Sequence, residues 1–256
     1  MSFENKTIVI TGGAKGIGRA CVELFHSQKA NVVILDVDAD QGTALANQLG
    51  ERACFILTDV SKESDVIAAV EQIKSLFGAI DILLNNAAVQ YFSTVTGSTL
   101  EAWDQTFAIN VRGGFLCAKY MIPSMQAKGK GVIINMSSVQ AFVTQRQVAA
   151  YATTKAAQVA LTRSIAIDYA PTIRCVAICP GSVDTPLLRD LASQSPDPAA
   201  VIKECEDMHL MKRVADPLEI AEFVSYLASD KAAFITGQAF RIDGGLGIMI
   251  QGSKQE

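Results

Sequence analysis

Residues 7–18 read TIVITGGAKGIG, from Thr7 to Gly18. A β-branched run ends in a glycine turn, and a helix-compatible stretch carrying Ala20, Val22 and Leu24 follows at once. Strand, glycine turn and helix in that order make a phosphate cradle. Glycine lets the backbone approach a pyrophosphate, while the helix N-terminus offers unpaired N–H groups and a partial positive charge. Gly12, Gly16 and Gly18, with Lys15 and Ile17 between them, depart from the G-x-G-x-x-G spacing, so the turn needs support from elsewhere in the chain.

The next apolar run supplies some of it. VVILDVD ends at Asp36, eighteen residues beyond Gly18. A carboxylate there accepts hydrogen bonds from the adenosine ribose hydroxyls and repels a 2′-phosphate, which favours NAD over NADP. Lys15 argues the other way, since its ammonium could pair with a phosphate. Asp36 carries more weight, because a misplaced negative charge against phosphate is costly in poor solvent. Asp36 could also cap the helix begun by DADQGTALA.

The same rhythm continues outward to about Ile242. Strands are expected at Thr7–Ile10, Val32–Leu35, Ala53–Leu57, Ile82–Leu84, Val132–Asn135, Arg174–Ile178 and Ala239–Ile242. Most are continuously apolar, as when helices cover both faces of a sheet, and this predicts a single α/β domain built on a doubly wound parallel seven-stranded sheet. Val66, Val70, Ile73 and Phe77 recur at helical spacing, with Glu63 and Asp65 placed for the positive end of the helix. Long helices are expected over about Leu100–Ala127, weakened by Gly113 and Gly114, and over about Val148–Tyr169. Residues 183–215, broken by Pro186, Pro196 and Pro198, read as an insertion after a strand end and as a mobile lid over the site.

Composition excludes several functions. The chain has 256 residues, half of them hydrophobic, and a net charge of -4, so it offers no basic field for nucleic acid. No segment approaches the roughly 18–20 apolar residues of a membrane span, and the N-terminal residues do not read as a signal peptide, so a cytoplasmic protein with no membrane partner is expected. Six scattered cysteines and two histidines, His26 and His209, form no metal set, and no metal is expected. G-x-S-x-G and H-E-x-x-H are absent. Proton transfer must be run by other residues.

Tyr151-Ala152-Thr153-Thr154-Lys155 places a phenol and an ammonium four apart on one side of a helix. Free tyrosine is a poor base, but a nearby ammonium favours the phenolate, so a lowered phenol is expected. Ser138, in NMSSVQ at the end of the fifth strand, could hold a substrate oxygen beside that phenol.

In these features the chain resembles the short-chain dehydrogenase/reductase family over nearly its whole length. TGGAKGIG is similar to its TGxxxGxG cofactor motif, NNAA at Asn85 to Ala88 to its NNAG, and YATTK to its YxxxK. Ala88 departs from the usual glycine, which touches local backbone geometry only. The resemblance implies a Rossmann-type sheet of order 3-2-1-4-5-6-7 and a homotetramer whose long helices pack pairwise. It also implies that Tyr151 exchanges the substrate proton, that Lys155 lowers the phenol and binds the nicotinamide ribose, that Ser138 orients the reacting oxygen, and that Asn110 anchors a water-mediated proton path. Asp59 is implied at the adenine, Pro180, Gly181 and Thr185 at the nicotinamide end, and Val60, Asn86 and Val183 among the other cofactor-binding residues.

The substrate is read from Gln90, Gln140, Gln145 and Gln147, with Met208 and His209 from the lid. Glutamine both donates and accepts, which suits a polyhydroxylated ligand. SSVQA, SIAIDYAP and FRIDGGLGIM resemble the aldohexose dehydrogenase branch, implying oxidation of an aldose at its first carbon to an aldonolactone, with the tail after Gly245 helping to close a site. A reductase of 3-oxoacyl or other small ketones, marked by NADPH and a more apolar lid, is one alternative. A non-catalytic nucleotide-sensing protein is another, though it would be expected to have lost some of Ser138, Tyr151 or Lys155.

Overall fold

The computed structural model describes residues 1–248. Seven parallel strands form one sheet of order β3-β2-β1-β4-β5-β6-β7, the expected topology. They are β1 (Thr7–Thr11), β2 (Asn31–Asp36), β3 (Ala53–Leu57), β4 (Ile82–Asn85), β5 (Gly131–Met136), β6 (Ile173–Pro180) and β7 (Ala239–Ile242). Each strand lies where the sequence placed it, within a residue or two at either end. The unbroken apolar runs have a simple origin: alternate side chains enter different cores. Ile8, Ile10, Val32, Ile34, Leu84 and Ile134 face one side, while Val9, Val33, Leu35, Leu83 and Ile133 face the other.

The first core is closed by α1 (Gly16–Ser27), α2 (Ala39–Leu49) and α9 (Pro217–Ala228), through Val22, Phe25, Leu45, Ile220 and Val224. The second is closed by α3 (Glu63–Phe77), α5 (Gly114–Lys128) and α6 (Ala149–Tyr169), through Val70, Ile73, Met121, Met125 and Ile165. Each such fully buried side chain contributes roughly 1.5–3 kcal/mol. Glu63 and Asp65 do sit in the first turn of α3.

The predicted helix over Leu100–Ala127 is broken in its winding rather than in its path. It runs as α4 (Leu100–Phe107), a π-helical segment Ala108–Gly113, and α5. Such wide turns gather at functional sites, and this one carries Asn110.

The excursion from β6 folds into α7 (Pro186–Ala192) and α8 (Pro198–Met208). Asp197 caps α8 by accepting from the Ala200 N–H, a start signal that the weak periodicity of the segment concealed. The ends of the excursion pair with one another. Val183 and Ala215 form a parallel bridge, with the Asp184 N–H on the Ala215 carbonyl at 2.9 Å and the Ala215 N–H on the Ser182 carbonyl at 3.0 Å.

Candidate active site

The order of strands reverses between β1 and β4, and open α/β sheets bind ligands in the crevice at such a switch. Thr11, the last residue of β1, builds one wall. Its hydroxyl accepts the N–H groups of Asn86 and Ala87 at 2.9 and 3.0 Å. Asn86 reciprocates, its side-chain amide donating to the Thr11 and Gly12 carbonyls. Asn86 therefore braces the glycine turn.

The turn leaves room for nothing larger than glycine. Gly12 has φ +63°, and a Cβ on Gly18 would lie 2.0 Å from the Gly12 carbonyl oxygen. A Cβ on Gly16 would meet the Thr185 side chain at 3.1 Å, so the turn and the segment after β6 face each other across the crevice. No side chain among the described residues caps the start of α1, which leaves its first N–H groups free for an anion. A dinucleotide fits these residues. Ile17 is partly buried, at the start of α1.

At the adenosine end, Asp36 accepts the Ala14 and Asp38 N–H groups, each at 3.0 Å, one on each carboxylate oxygen. The cap of α2 is Asp38, not Asp36: the Gln41 N–H donates to the Asp38 carboxylate. Asp38 also holds the Lys15 ammonium at 2.7 Å and keeps it above its usual value. The lysine expected to reach for a phosphate thus has a carboxylate partner. Burial pushes Asp59 up, but hydrogen bonds from Ser61 and Lys62 win and hold it below its usual value. Val60, next to it, is buried.

The chemical residues converge from β5 and α6. Ser138 follows β5, and its oxygen accepts the Gln140 N–H at 3.1 Å, which leaves the hydroxyl proton free to donate. Lys155 is 2% exposed, with its Nζ 5.3 Å from the Tyr151 ring centre and 2.8 Å from the Met136 carbonyl. Burial pushes the Tyr151 phenol up to about 12, against a smaller pull from the Ser138 hydroxyl. Burial also brings the Lys155 ammonium down to about 7. The expected lowering of the phenol is not what the chain alone produces, because desolvation is the largest influence on it and acts upward.

Asn110 is fully engaged by the protein. Its side-chain oxygen accepts the Val89 N–H, and its amide donates to the Val89 carbonyl and the Thr154 hydroxyl. Its backbone carbonyl accepts the Gln158 side-chain amide at 2.7 Å. Gln158, Thr154 and Ser137, whose hydroxyl donates to the Lys155 carbonyl at 2.8 Å, went unread in the sequence. Helical spacing could have found Gln158, three residues beyond Lys155.

The proposed substrate residues divide. Gln140 is partly buried, and among the described residues its side-chain oxygen, though shielded, has no partner. Gln90 is partly buried; Gln145 and Gln147 are exposed, and Gln147, at φ +63°, gives its carbonyl to the Ser93 N–H. His209, expected at the substrate, is engaged by the protein's own backbone. It is 2% exposed, with Nδ1 2.6 Å from the Cys205 carbonyl and Nε2 accepting the Ser182 N–H at 3.1 Å. Both ring nitrogens are spent on fastening the end of α8 to the segment after β6. A Cβ on Gly181 would strike that ring at 2.6 Å. Met208 is partly buried. The excursion exposes Leu187, Leu210 and Met211. Residues 249–256, the end of the tail expected to close a site, lie outside the described residues.

Among the described residues no group of three or more His, Cys, Asp or Glu side chains could hold a metal ion, and no helix is long and apolar enough to cross a membrane.

Residues 12–247 match the family described as enoyl-(acyl carrier protein) reductase. The fold superimposes on the aldohexose dehydrogenase of Thermoplasma acidophilum with a TM-score of 0.91 at 35% identity, covering 99% of this chain and 98% of that one. It superimposes equally on a 3-ketoacyl-(acyl-carrier-protein) reductase of Brucella melitensis complexed with NADH, at TM-score 0.91 and 35% identity, over 96% of this chain and 100% of that one. The 2,5-dichloro-2,5-cyclohexadiene-1,4-diol dehydrogenase of Sphingobium indicum is 39% identical over 95% of this chain and 97% of its own length. The chain is a member of the short-chain dehydrogenase/reductase family, an NAD(P)-dependent oxidoreductase.

Proposed function

We propose that this cytoplasmic enzyme uses NAD to oxidise an alcohol or hemiacetal hydroxyl of a small polar substrate, with an aldose oxidised at its first carbon as the leading candidate. The observation that carries the reading is the convergence of Ser138, Tyr151 and Lys155 beside a crevice shaped for a dinucleotide. NAD rather than NADP is supported by Asp36 at the end of β2 and by the Lys15–Asp38 pair, which occupies the nearest cation. NAD, when bound, supplies the hydride acceptor. Gly12, Gly16, Gly18 and the start of α1 would hold its pyrophosphate, Asp36, Asp59 and Val60 the adenosine end, and Pro180, Gly181, Val183 and Thr185 the nicotinamide end.

The chain's own work is proton handling. Ser138, oriented by the Gln140 N–H, donates to the substrate oxygen. Tyr151 takes the hydroxyl proton during oxidation and returns it during reduction, help worth roughly 10²- to 10⁴-fold. Lys155 binds the nicotinamide ribose and biases the phenol, and Asn110 fixes α6 against the π-helical segment. Residues 183–215 act as the lid, fastened at its base by the Val183–Ala215 bridge and by His209. The unpartnered Gln140 oxygen, together with Gln90 and Gln147, suits a ligand rich in hydroxyls. The aldohexose dehydrogenase neighbour supports the same substrate class.

A second reading has an observation of its own. Tyr91, Phe92, Phe142 and Val143 are exposed on segments that adjoin the site in sequence, which favours a compact cyclic alcohol with an apolar face, as the Sphingobium relative's name describes. A panel of aldoses, sugar alcohols, cyclic diols and small ketones, run with NAD(H) and NADP(H), separates these readings. We expect turnover of an aldose with NAD. Turnover confined to ketones with NADPH would end the aldose proposal. Tyr151→Phe should lower kcat by at least about 100-fold while leaving NAD affinity, measured calorimetrically, within about twofold; an active variant would overturn the assignment.

A further inference from the structure

Gln158 lies one helical turn beyond Lys155 on α6 and is 3% exposed. Its side chain is used at both ends. The oxygen accepts the Lys155 ammonium at 3.2 Å, and the amide nitrogen donates to the Asn110 carbonyl at 2.7 Å. That carbonyl belongs to the π-helical segment Ala108–Gly113, a kind of turn that gathers at functional sites. Asn110 is tied to α6 a second time, through its side-chain amide on Thr154, whose hydroxyl in turn donates to the Tyr151 carbonyl.

The chemistry of an amide makes this arrangement specific. A carboxamide holds its hydrogen-bond polarity fixed, accepting at one end and donating at the other, and does not titrate. A buried ammonium with three donors needs acceptors, and here Met136 supplies one and Gln158 another. The titratable groups that face it are Tyr151 and Cys179. An apolar residue at 158 would leave both the ammonium and the Asn110 carbonyl short of a partner.

We propose that Gln158 is a positioning residue that locks the Lys155 ammonium to the Asn110 carbonyl through its own amide, so that the cation acting on Tyr151 is set by protein groups. This rests on the dehydrogenase reading of Tyr151 and Lys155, and it reaches past that reading to a residue outside the YATTK motif. One consequence is that the Asn110 carbonyl already has a protein donor, beside whatever water the residue anchors.

The test titrates Lys155 directly, in protein labelled with carbon-13 lysine and studied by NMR, with Lys155→Met identifying the signal. Gln158→Met keeps the volume but removes the acceptor, and its Lys155 midpoint should fall by about one pH unit. Gln158→Glu places a carboxylate against the ammonium and should raise the midpoint. Opposite movements from two near-isosteric changes are not what general loosening of α6 would give. In the active enzyme, Gln158→Met should also move the rise of kcat/KM for oxidation to higher pH while leaving KM for NAD nearly unchanged. Unmoved midpoints, or midpoints moving in the same direction in both variants, overturn the inference. If Gln158→Met does not fold, the Gln158→Glu titration decides alone. Wild-type protein inert toward the whole substrate panel would count against the dehydrogenase reading instead, and the NMR result stands apart from it.

Discussion

Lys155 is held almost wholly out of water with its charge facing the Met136 and Gln158 oxygens, and burial has brought its ammonium down to about 7. Since the folded value lies below that of the unfolded chain, the folded state binds fewer protons than the unfolded state between about pH 7 and the ordinary lysine value near 10.4, and stability from this group rises with pH across that window. Lys155→Met should therefore raise Tm, most at pH 6 and progressively less towards pH 10, in thermal melts read by circular dichroism. A variant whose effect on Tm did not change with pH would show that the cation is not strained by burial. The motif residues were legible because each is a particular chemical type at a particular spacing. Their electrostatic state was not, since it depends on enclosure by Met136, Gln158 and Cys179, which are distant from Tyr151 in character and partly in sequence. His209 shows the same limit from the other side: a histidine in a predicted lid looks available, and only the fold shows its two nitrogens against the Cys205 and Ser182 backbones.

Among the elements, the β1–α1 junction is the least forgiving. The Gly18 Cα sits so close to the Gly12 carbonyl that an added methyl would overlap it, with the Asn86 amide 2.7 Å away. Gly18→Ala should cost about 1–3 kcal/mol from overpacking, at about 2–4 °C in Tm for each kcal/mol, and should weaken NAD binding at least about tenfold by deforming the cradle. Calorimetry and a melt on the same sample would check both; unchanged affinity would mean that the pyrophosphate lies elsewhere. Strands could be read because a parallel sheet covered on both faces leaves a continuous apolar signature. The π-helical segment could not, because Gly113 and Gly114 signal only a weak helix, and the widening depends on what Asn110 meets across the gap on α6. Asp38 was missed as the cap of α2 because Asp36, two residues earlier, answers the same description.

At the scale of the molecule, Trp103, Phe107, Val111, Phe115 and Leu161 line a groove of about 630 Å³ on the outer side of α4, α5 and α6. It is not the crevice above the sheet. Phe115 is exposed there and the other four are half-buried, an apolar face that fits the tetramer implied by the family resemblance, in which these helices would pack against a second copy. Phe115→Asp combined with Leu161→Asp should reduce the mass found by light scattering from four chains to two or one; a wild-type monomer would remove the proposal. Neither substitution touches Tyr151, Lys155 or the glycine turn.

The Val183–Ala215 bridge has a bearing on descent as well as on form. With its two ends already joined, everything between them hangs from the scaffold as a cassette whose length the sheet does not register, and closing a longer or shorter one changes the entropy only slowly with length. Selection could thus rewrite which molecules are admitted here, residue by residue or wholesale, and leave the machinery beneath untouched.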